Sequence, residues 1–380
     1  MRSSTTVLRQ PESTPERRLP ASVQRLPRPP ALGRAIELAF LRWEKRRLAP
    51  TDRFWRDFGF HIVSSTPQRL VARGAGTAPC IAIAEVGPED RFVGPAFLMS
   101  ADTDLHRYVE QMDARWLPLD RLPAGGRGVG LFDPSRRSVW LLQDQRRLEP
   151  LPLREAVTSS TNTAQGTPRV NRTVRTPIEP ARVVRLGHVV LQTVDFARMA
   201  EWYLRVLGAI PTDVQYLADG SPSLAFCRLD LGKQPADHHT LVIVGGIEDK
   251  VEHSAYEVLD LDALGQGQQV LRAQGHRHMW GIGRHLLGSQ LFDYWFDPDG
   301  FEFEHYTDGD VFTAEMETAY SPLEFGGIWA WGDDAPASMK PKKNLRTLLQ
   351  VLKLVRRKAI TPQRLKFLSA ALDVPARPWL

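Results

Sequence analysis

Two cysteines in 380 residues, Cys80 and Cys227, each alone in an apolar stretch, leave no disulfide framework and no thiolate metal site. A reducing cytoplasm is the compartment this usage predicts. No uninterrupted run of about 18 apolar residues occurs, so no membrane insertion is expected. The opening stretch MRSSTTVLRQPESTPERRLPASVQRLPRPP lacks the apolar core of a secretory signal. Its arginines and hydroxyl residues faintly suggest an organelle transit peptide, but Pro and Glu interrupt any amphipathic helix, and a disordered tail is the expectation. Strong charge of one sign is also missing. The formal net charge is +5, contributed mainly by arginines near the start and lysines near the end rather than by a basic stripe through the middle, so nucleic acid is not an expected partner.

What is present is an ordinary globular composition, 42% hydrophobic and 24% charged, in a chain long enough for two or three cores. Two segments interrupt it: residues 1–32, read as the disordered tail, and a Ser/Thr/Pro-rich linker over residues 155–180. They separate an N-terminal domain, 33–154, from a C-terminal domain, 181–335, followed by a basic helical tail, 336–380. Each half alternates short strands with a helix. In the first, AIELAFLRWEK is a strand, PTDRFWRDFG a short helix, and HIV, RLVAR and CIAIAEV strands; FVGPAFLM, a helix in ADTDLHRYVEQM, VGLFDP and SVWLLQ repeat the order. In the second, RLGHVVLQT precedes a helix with Phe196, Met199, Tyr203, Val206 and Leu207 on one face and Gly208 at its end. SLAFCRLDL and HTLVIV follow as strands, then HSAYEVLDL, a helix around DALGQGQQVLRAQG and a hairpin through LFDYWFDPDGFEFEHY. The predicted fold class is α+β, four βαβββ-like units in two pairs, each pair wrapping its sheet around a cavity.

Eight of the ten histidines lie in the second half, which is therefore where metal chemistry would belong. His188 is in the opening strand of the third unit, His253 in the opening strand of the fourth, and Glu304 in that unit's last strand. A pseudo-twofold relation between units would bring them together as two histidines and one carboxylate, the set that leaves open positions on non-haem Fe(II). Against this stands the duller reading: a lone strand histidine is more often a packed core residue than a ligand.

The motif context favours the ligand reading. Gly283-Arg284-His285, then Tyr294-Trp295-Phe296-Asp297-Pro298-Asp299-Gly300, then Glu304 resembles the signature of the type I extradiol ring-cleaving dioxygenases of the vicinal oxygen chelate superfamily, with LGHVVL, DHHTLVIV and VEHSAYEV resembling the surroundings of the first ligand, the catalytic histidine and the second ligand. The likeness covers residues 183–310, and more loosely extends back to residue 35. Asp293 departs from it, standing where the family usually has an apolar residue. Within the family the GIGRHLLGSQLFDYW and EHYTDGD strings are most similar to trihydroxytoluene oxygenase-type enzymes.

The resemblance implies a two-domain vicinal oxygen chelate (glyoxalase-like) fold and extradiol cleavage by O2 of a catechol-type or trihydroxylated aromatic diol. It implies Fe(II), or Mn(II) as an alternative, on His188, His253 and Glu304. It also implies His239 as acid/base, with His238 as its close competitor; Tyr294 as hydrogen-bond donor to the bound substrate; and His285 lining the pocket. Glu302 shares a strand face with Glu304, but the distance of Glu304 from the DPDG turn matches the family. His276 and His278 read as surface or capping groups and His305 as facing outside. Two other classes stay in view: a glyoxalase-type isomerase or lyase, which commonly uses an additional Glu, and a non-catalytic ligand-sequestering module without metal ligands. The basic tail reads as a helix packed on its own domain, with a subunit contact in a homo-oligomer or a weak contact to an acidic surface as the second reading.

Overall fold

A computed structural model describes residues 19–324 and 328–373, so residues 1–18 of the expected disordered tail and the last seven of the basic tail lie outside the described residues. Four times the chain lays down a strand, crosses it with a helix and returns through further strands until the last runs parallel to the first. The first unit is β1 (Ala35–Lys45), α1 (Leu48–Asp57), β2 (His61–Ser65), β3 (Arg69–Arg73) and β4 (Ala82–Val86). The second is β5 (Arg91–Met99), α2 (His106–Met112), β6 (Arg115–Trp116), β7 (Arg127–Phe132) and β8 (Ser138–Gln143). β4 lies parallel to β1 and β8 to β5, while β1 and β5 join the units antiparallel, giving one eight-stranded sheet.

The second half repeats these joins. Its third unit is β9 (Val183–Thr193), α3 (Phe196–Leu207), β10 (Ile210–Tyr216), β11 (Pro222–Arg228), β12 (Ala236–Asp237) and β13 (Leu241–Gly245). Its fourth is β14 (Lys250–Val258), α4 (Leu261–Ala273), β15 (Arg277–His285), β16 (Leu291–Phe296) and β17 (Glu302–Thr307). Here β13 is parallel to β9, β17 to β14, and β9 pairs antiparallel with β14. The chain continues through β18 (Val311–Phe312), β19 (Ala319–Pro322) and β20 (Trp329–Trp331) to α5 (Leu345–Arg356) and α6 (Pro362–Asp373). The architecture is the expected α+β arrangement of two paired-module halves. β1 and β9, the central strands of the two sheets, even bury the same positions residue for residue.

Local chemistry sets the element ends. Asp195 caps α3 by accepting the Arg198 N–H at 3.2 Å, and Gly208, at φ 65°, ends it with a left-handed residue. Asp260 caps α4 through the Ala263 N–H and also holds Arg154 and the Val157 N–H, which docks the start of the linker. Residues 19–32 correct the expectation of disorder. They run without regular structure over the second half, with the Leu26 N–H on the Tyr320 hydroxyl, the Gln24 N–H on the Gly220 carbonyl, Arg28 on Asp230 and Leu32 buried. A segment this rich in Pro and Arg has no core of its own; its order comes from where it docks. At the other end, Leu354 and Ile360 are buried, and Arg364 donates to the hydroxyls of Ser221 and Ser223.

The two sheets share an aromatic core. Phe54 and Phe58 from α1 and its end, Phe60 and Trp43 surround Tyr256 and Phe303 at centroid distances between 4.7 and 6.4 Å, the shortest being Phe60–Tyr256. This contact corrects two histidines. His305 alternates away from Glu304, but that face of β17 is covered by the first half: its ring stacks on Phe58 at 3.7 Å and its Nε2–H donates to the Phe58 carbonyl at 2.7 Å. His276 sits not on the surface but at the same junction, on Asp57 at 2.8 Å and against Phe54.

One ion cluster crosses the junction. Lys45, at the end of β1, is 1% exposed and donates to Asp297 at 2.5 Å and Asp299 at 2.7 Å, both in the turn that leads into β17. Asp297 meanwhile accepts the N–H groups of Asp299 and Phe301 and so shapes the turn. Removing one partner of a buried pair leaves an uncompensated charge, which costs far more than the pair itself contributes. Lys45→Ala should therefore lower the unfolding free energy by about 3–5 kcal/mol; a denaturant midpoint within error of wild type would show that the cluster is not what secures the turn.

Candidate metal centre

Three neighbouring strands supply the candidate ligands: His188 on β9, His253 on β14 and Glu304 on β17. The register explains why they meet. Ala255 on the middle strand lies opposite His188 on one side and Glu304 on the other, and His253, two residues earlier, shares its face. The small Ala255 side chain leaves room between the larger groups. The His188 Nε2 is 3.2 Å and the His253 Nε2 3.3 Å from the same Glu304 oxygen, and the three ligand atoms lie within 4.8 Å of one another. Glu304 is fully buried and His188 nearly so, while His253 keeps 14% of its side chain exposed, on the open side of the group.

Do these residues fit a metal ion? Both Glu304 carboxylate oxygens are buried without a hydrogen-bond donor in acceptable geometry, a state that costs several kcal/mol unless a cation satisfies them. Burial alone would raise the Glu304 pKa, yet the imidazoles of His188, His253 and His285 hold it well below the usual carboxylate range. Burial likewise lowers the His188 pKa, keeping that ring neutral. Two imidazoles and one carboxylate are the donor set of a divalent first-row metal such as Fe(II) or Mn(II). The residues fit.

The same register in the first half explains why no such cluster forms there among the described residues. Ala96 on β5 lies opposite Phe40 on β1 and Trp140 on β8, in the relation Ala255 has to His188 and Glu304. Gly94 stands two residues before Ala96, as His253 stands two before Ala255. The first half thus has Phe40, Gly94 and Trp140 at the three corresponding places, with Phe40 and Trp140 packed edge to face and Arg42 stacked on Trp140.

Around the cluster stand the other sequence-derived residues. The His239 ring is 4.2 Å from the His188 ring, buried, with its pKa held well below the normal imidazole value by burial and by His188 and His238. His238 turns the other way, its Nε2 at 2.6 Å from an Asp213 oxygen and its Nδ1 at 2.8 Å from the His239 Nδ1. The Tyr294 hydroxyl is 2.9 Å from the His285 Nε2, which is itself 3.5 Å from Glu304, and the His285 Nδ1–H donates to the Ile328 carbonyl. Burial, reinforced by Glu304, keeps the Tyr294 phenol protonated well above its usual range. Glu302 stands across from His253, and burial lifts its pKa to about 7 against the opposing effect of His253.

Two features escaped the sequence reading. Asp213 belongs to β10, far from any motif, and only the sheet brings it to His238. Asp293, the departure from the family pattern, is fully buried and accepts from His278, Trp295 and Gln268, so its charge is satisfied behind the site rather than in it. His278, expected at the surface, is its partner.

Residues 185–305 match the model of the Glyoxalase/Bleomycin resistance protein/Dioxygenase superfamily, a stretch that contains His188, His239, His253, His285, Tyr294 and Glu304. Metapyrocatechase 2 of Cupriavidus necator is 29% identical over 297 residues, 76% of this chain and 86% of that protein. Homoprotocatechuate 2,3-dioxygenase from Brevibacterium fuscum, in its anaerobic complex with 3,4-dihydroxyphenylacetate, superposes with a TM-score of 0.67 at 19% identity over 83% of this chain and 94% of its own. A Mn(II)-bound glyoxalase from Novosphingobium aromaticivorans reaches the same TM-score at 20% identity, covering 82% and 96%. At such identities the structural likeness establishes the fold: the two-domain vicinal oxygen chelate architecture.

The geometry separates the two glutamates. Glu304→Ala should abolish iron retention, whereas Glu302→Ala should retain iron and change substrate affinity at most, as read by metal analysis after desalting. Iron lost from the Glu302 variant and kept by the Glu304 variant would reverse the assignment.

Proposed function

We propose that this chain is an extradiol ring-cleaving dioxygenase: it opens a catechol-type or trihydroxylated aromatic ring beside its diol with O2, at a non-haem Fe(II) held by His188, His253 and Glu304. The observation that carries the reading is the convergence of these three side chains with His239, Tyr294 and His285 around one buried carboxylate. The relation to metapyrocatechase 2 supports it. Bound there, the metal would acidify the diol and bring both reactants into one coordination sphere.

The remaining steps belong to the chain's own residues. His239, neutral because buried, accepts a proton from the diol and returns one later. Tyr294, kept protonated by burial and 2.9 Å from the His285 Nε2, donates its one hydrogen to the substrate oxygen when the diol is bound. The shared fold of the Mn(II)-bound glyoxalase makes an isomerase or lyase the nearest competitor. The buried acid/base pair of His239 and Tyr294 beside the triad favours ring cleavage, and the triad itself argues against a module that only sequesters ligands.

In this reading residues 33–154 form the metal-free domain and 181–335 the catalytic one, joined by 155–180. The unpaired, buried Cys80 and Cys227 favour a reducing cytoplasm, and no helix among the described residues is long and apolar enough to cross a membrane. A homo-oligomer is supported by α5, whose Leu345, Leu348, Leu349 and Leu352 line one exposed face at helical spacing. Glutamate at both Leu348 and Leu352 should then reduce the mass measured by light scattering to that of one chain; an unchanged mass would exclude this face.

His239→Asn keeps size and hydrogen bonding but cannot carry a proton near neutral pH. It should leave iron content and anaerobic diol binding nearly intact and lower ring cleavage by roughly 10²–10⁴-fold. By contrast His188→Ala and His253→Ala should lose the metal. A metal-free His239→Asn protein, or one cleaving diols at the wild-type rate, would remove His239 from this role.

A further inference from the structure

We propose that Asp213 and His238 are a buried positioning pair that fixes the tautomer of His239, so that His239 carries its hydrogen on Nδ1 and presents a bare Nε2 to the substrate. The inference rests on the reading of His239 as the acid/base group, and deepens it. The atoms dictate the direction. A carboxylate only accepts, so the 2.6 Å contact of Asp213 with the His238 Nε2 puts the hydrogen of His238 on that nitrogen. With His238 carrying that one hydrogen, its Nδ1 is an acceptor. Its neighbour at 2.8 Å, the His239 Nδ1, must supply the one hydrogen the two nitrogens share. What remains on His239 is the unprotonated Nε2, the form able to take a proton.

The surroundings hold this chain of contacts in place. Asp213 is fixed on β10 between Phe226 of β11 and Ala319 of β19. The His238 N–H donates to the Asp310 carbonyl, and its ring sits between Phe226 and Phe312. Both histidines are at most 5% exposed, so water does not compete for their nitrogens. Gly288 crosses over the pair with φ 80°; a Cβ there would stand 3.2 Å from the His238 Nδ1. Such packing leaves the His238 ring little freedom to turn and offer the other nitrogen. His238, the close competitor in sequence, is thus assigned a place behind His239 rather than in its stead.

The test reads the hydrogen positions directly. In full-length protein labelled with ¹⁵N-histidine and freed of paramagnetic iron, long-range ¹H–¹⁵N spectra should give His239 as the Nδ1–H tautomer and His238 as the Nε2–H tautomer. Asp213→Leu removes the acceptor at similar volume; it should populate the Nε2–H form of His239 and lower kcat by about 10–100-fold, with iron content and anaerobic diol affinity preserved. Asp213→Glu, which restores a carboxylate, should recover both the tautomer and part of kcat. A wild-type spectrum with His239 protonated on Nε2, or a doubly protonated His238, overturns the proposal without need of any variant. So does an Asp213→Leu protein with unchanged His239 tautomer and wild-type kcat. The expected tautomers in a protein that cleaves no diol would uphold the positioning pair and count against the dioxygenase reading instead.

Discussion

The candidate metal centre depends on a register. Ala255 must lie opposite His188 and Glu304 at once, and it does so because β14 is bonded antiparallel to β9 and parallel to β17. Side chains along a strand alternate between faces, so a slip of one residue in either pairing would turn a candidate ligand out of the cluster. The paired-module fold supplies this arrangement without special devices. Any two units joined through their first strands, each with its last strand folded back parallel to its first, place three residues of three strands around one small side chain.

Holding that register is a task shared by the whole chain. β17 carries Glu304 on one face and His305 on the other, and the second face is closed by Phe58 of the first half. The turn that feeds β17 is gripped by Lys45 from the same half. The half without a metal cluster thus braces the strand that presents the carboxylate. Burial on both sides also keeps water from Glu304, which is why three imidazoles can hold it ionised in a place that would otherwise favour its protonated form.

Much of this was legible in the sequence, for a physical reason. Unit order, helices and the candidate ligands are encoded locally, in alternation, caps and the spacing of His285, Tyr294 and Glu304 about the DPDG turn. What escaped was information carried by contacts between distant segments. Nothing near Lys45 announces that it will meet Asp297, and nothing near Asp213 announces His238. His305 misled because alternation says which face a residue takes but not what lies beyond that face. The ordered stretch at 19–32 misled in the same way: its composition describes the segment, and its docking depends on Tyr320 and Gly220, which the segment does not contain.

Gly94 gives the asymmetry between the halves a direction. It occupies the place that His253 has in the second half, at φ 146°, a conformation that L side chains rarely adopt, and a Cβ added there would come within 1.9 Å of the Ser138 carbonyl oxygen. Exchanging Phe40 and Trp140 for ligands would change side chains only; a histidine at 94 would first require β5 and β8 to separate. The difference between the halves is therefore written into the main chain. A second centre in this half would therefore need the two strands moved apart, and new side chains alone would not build it.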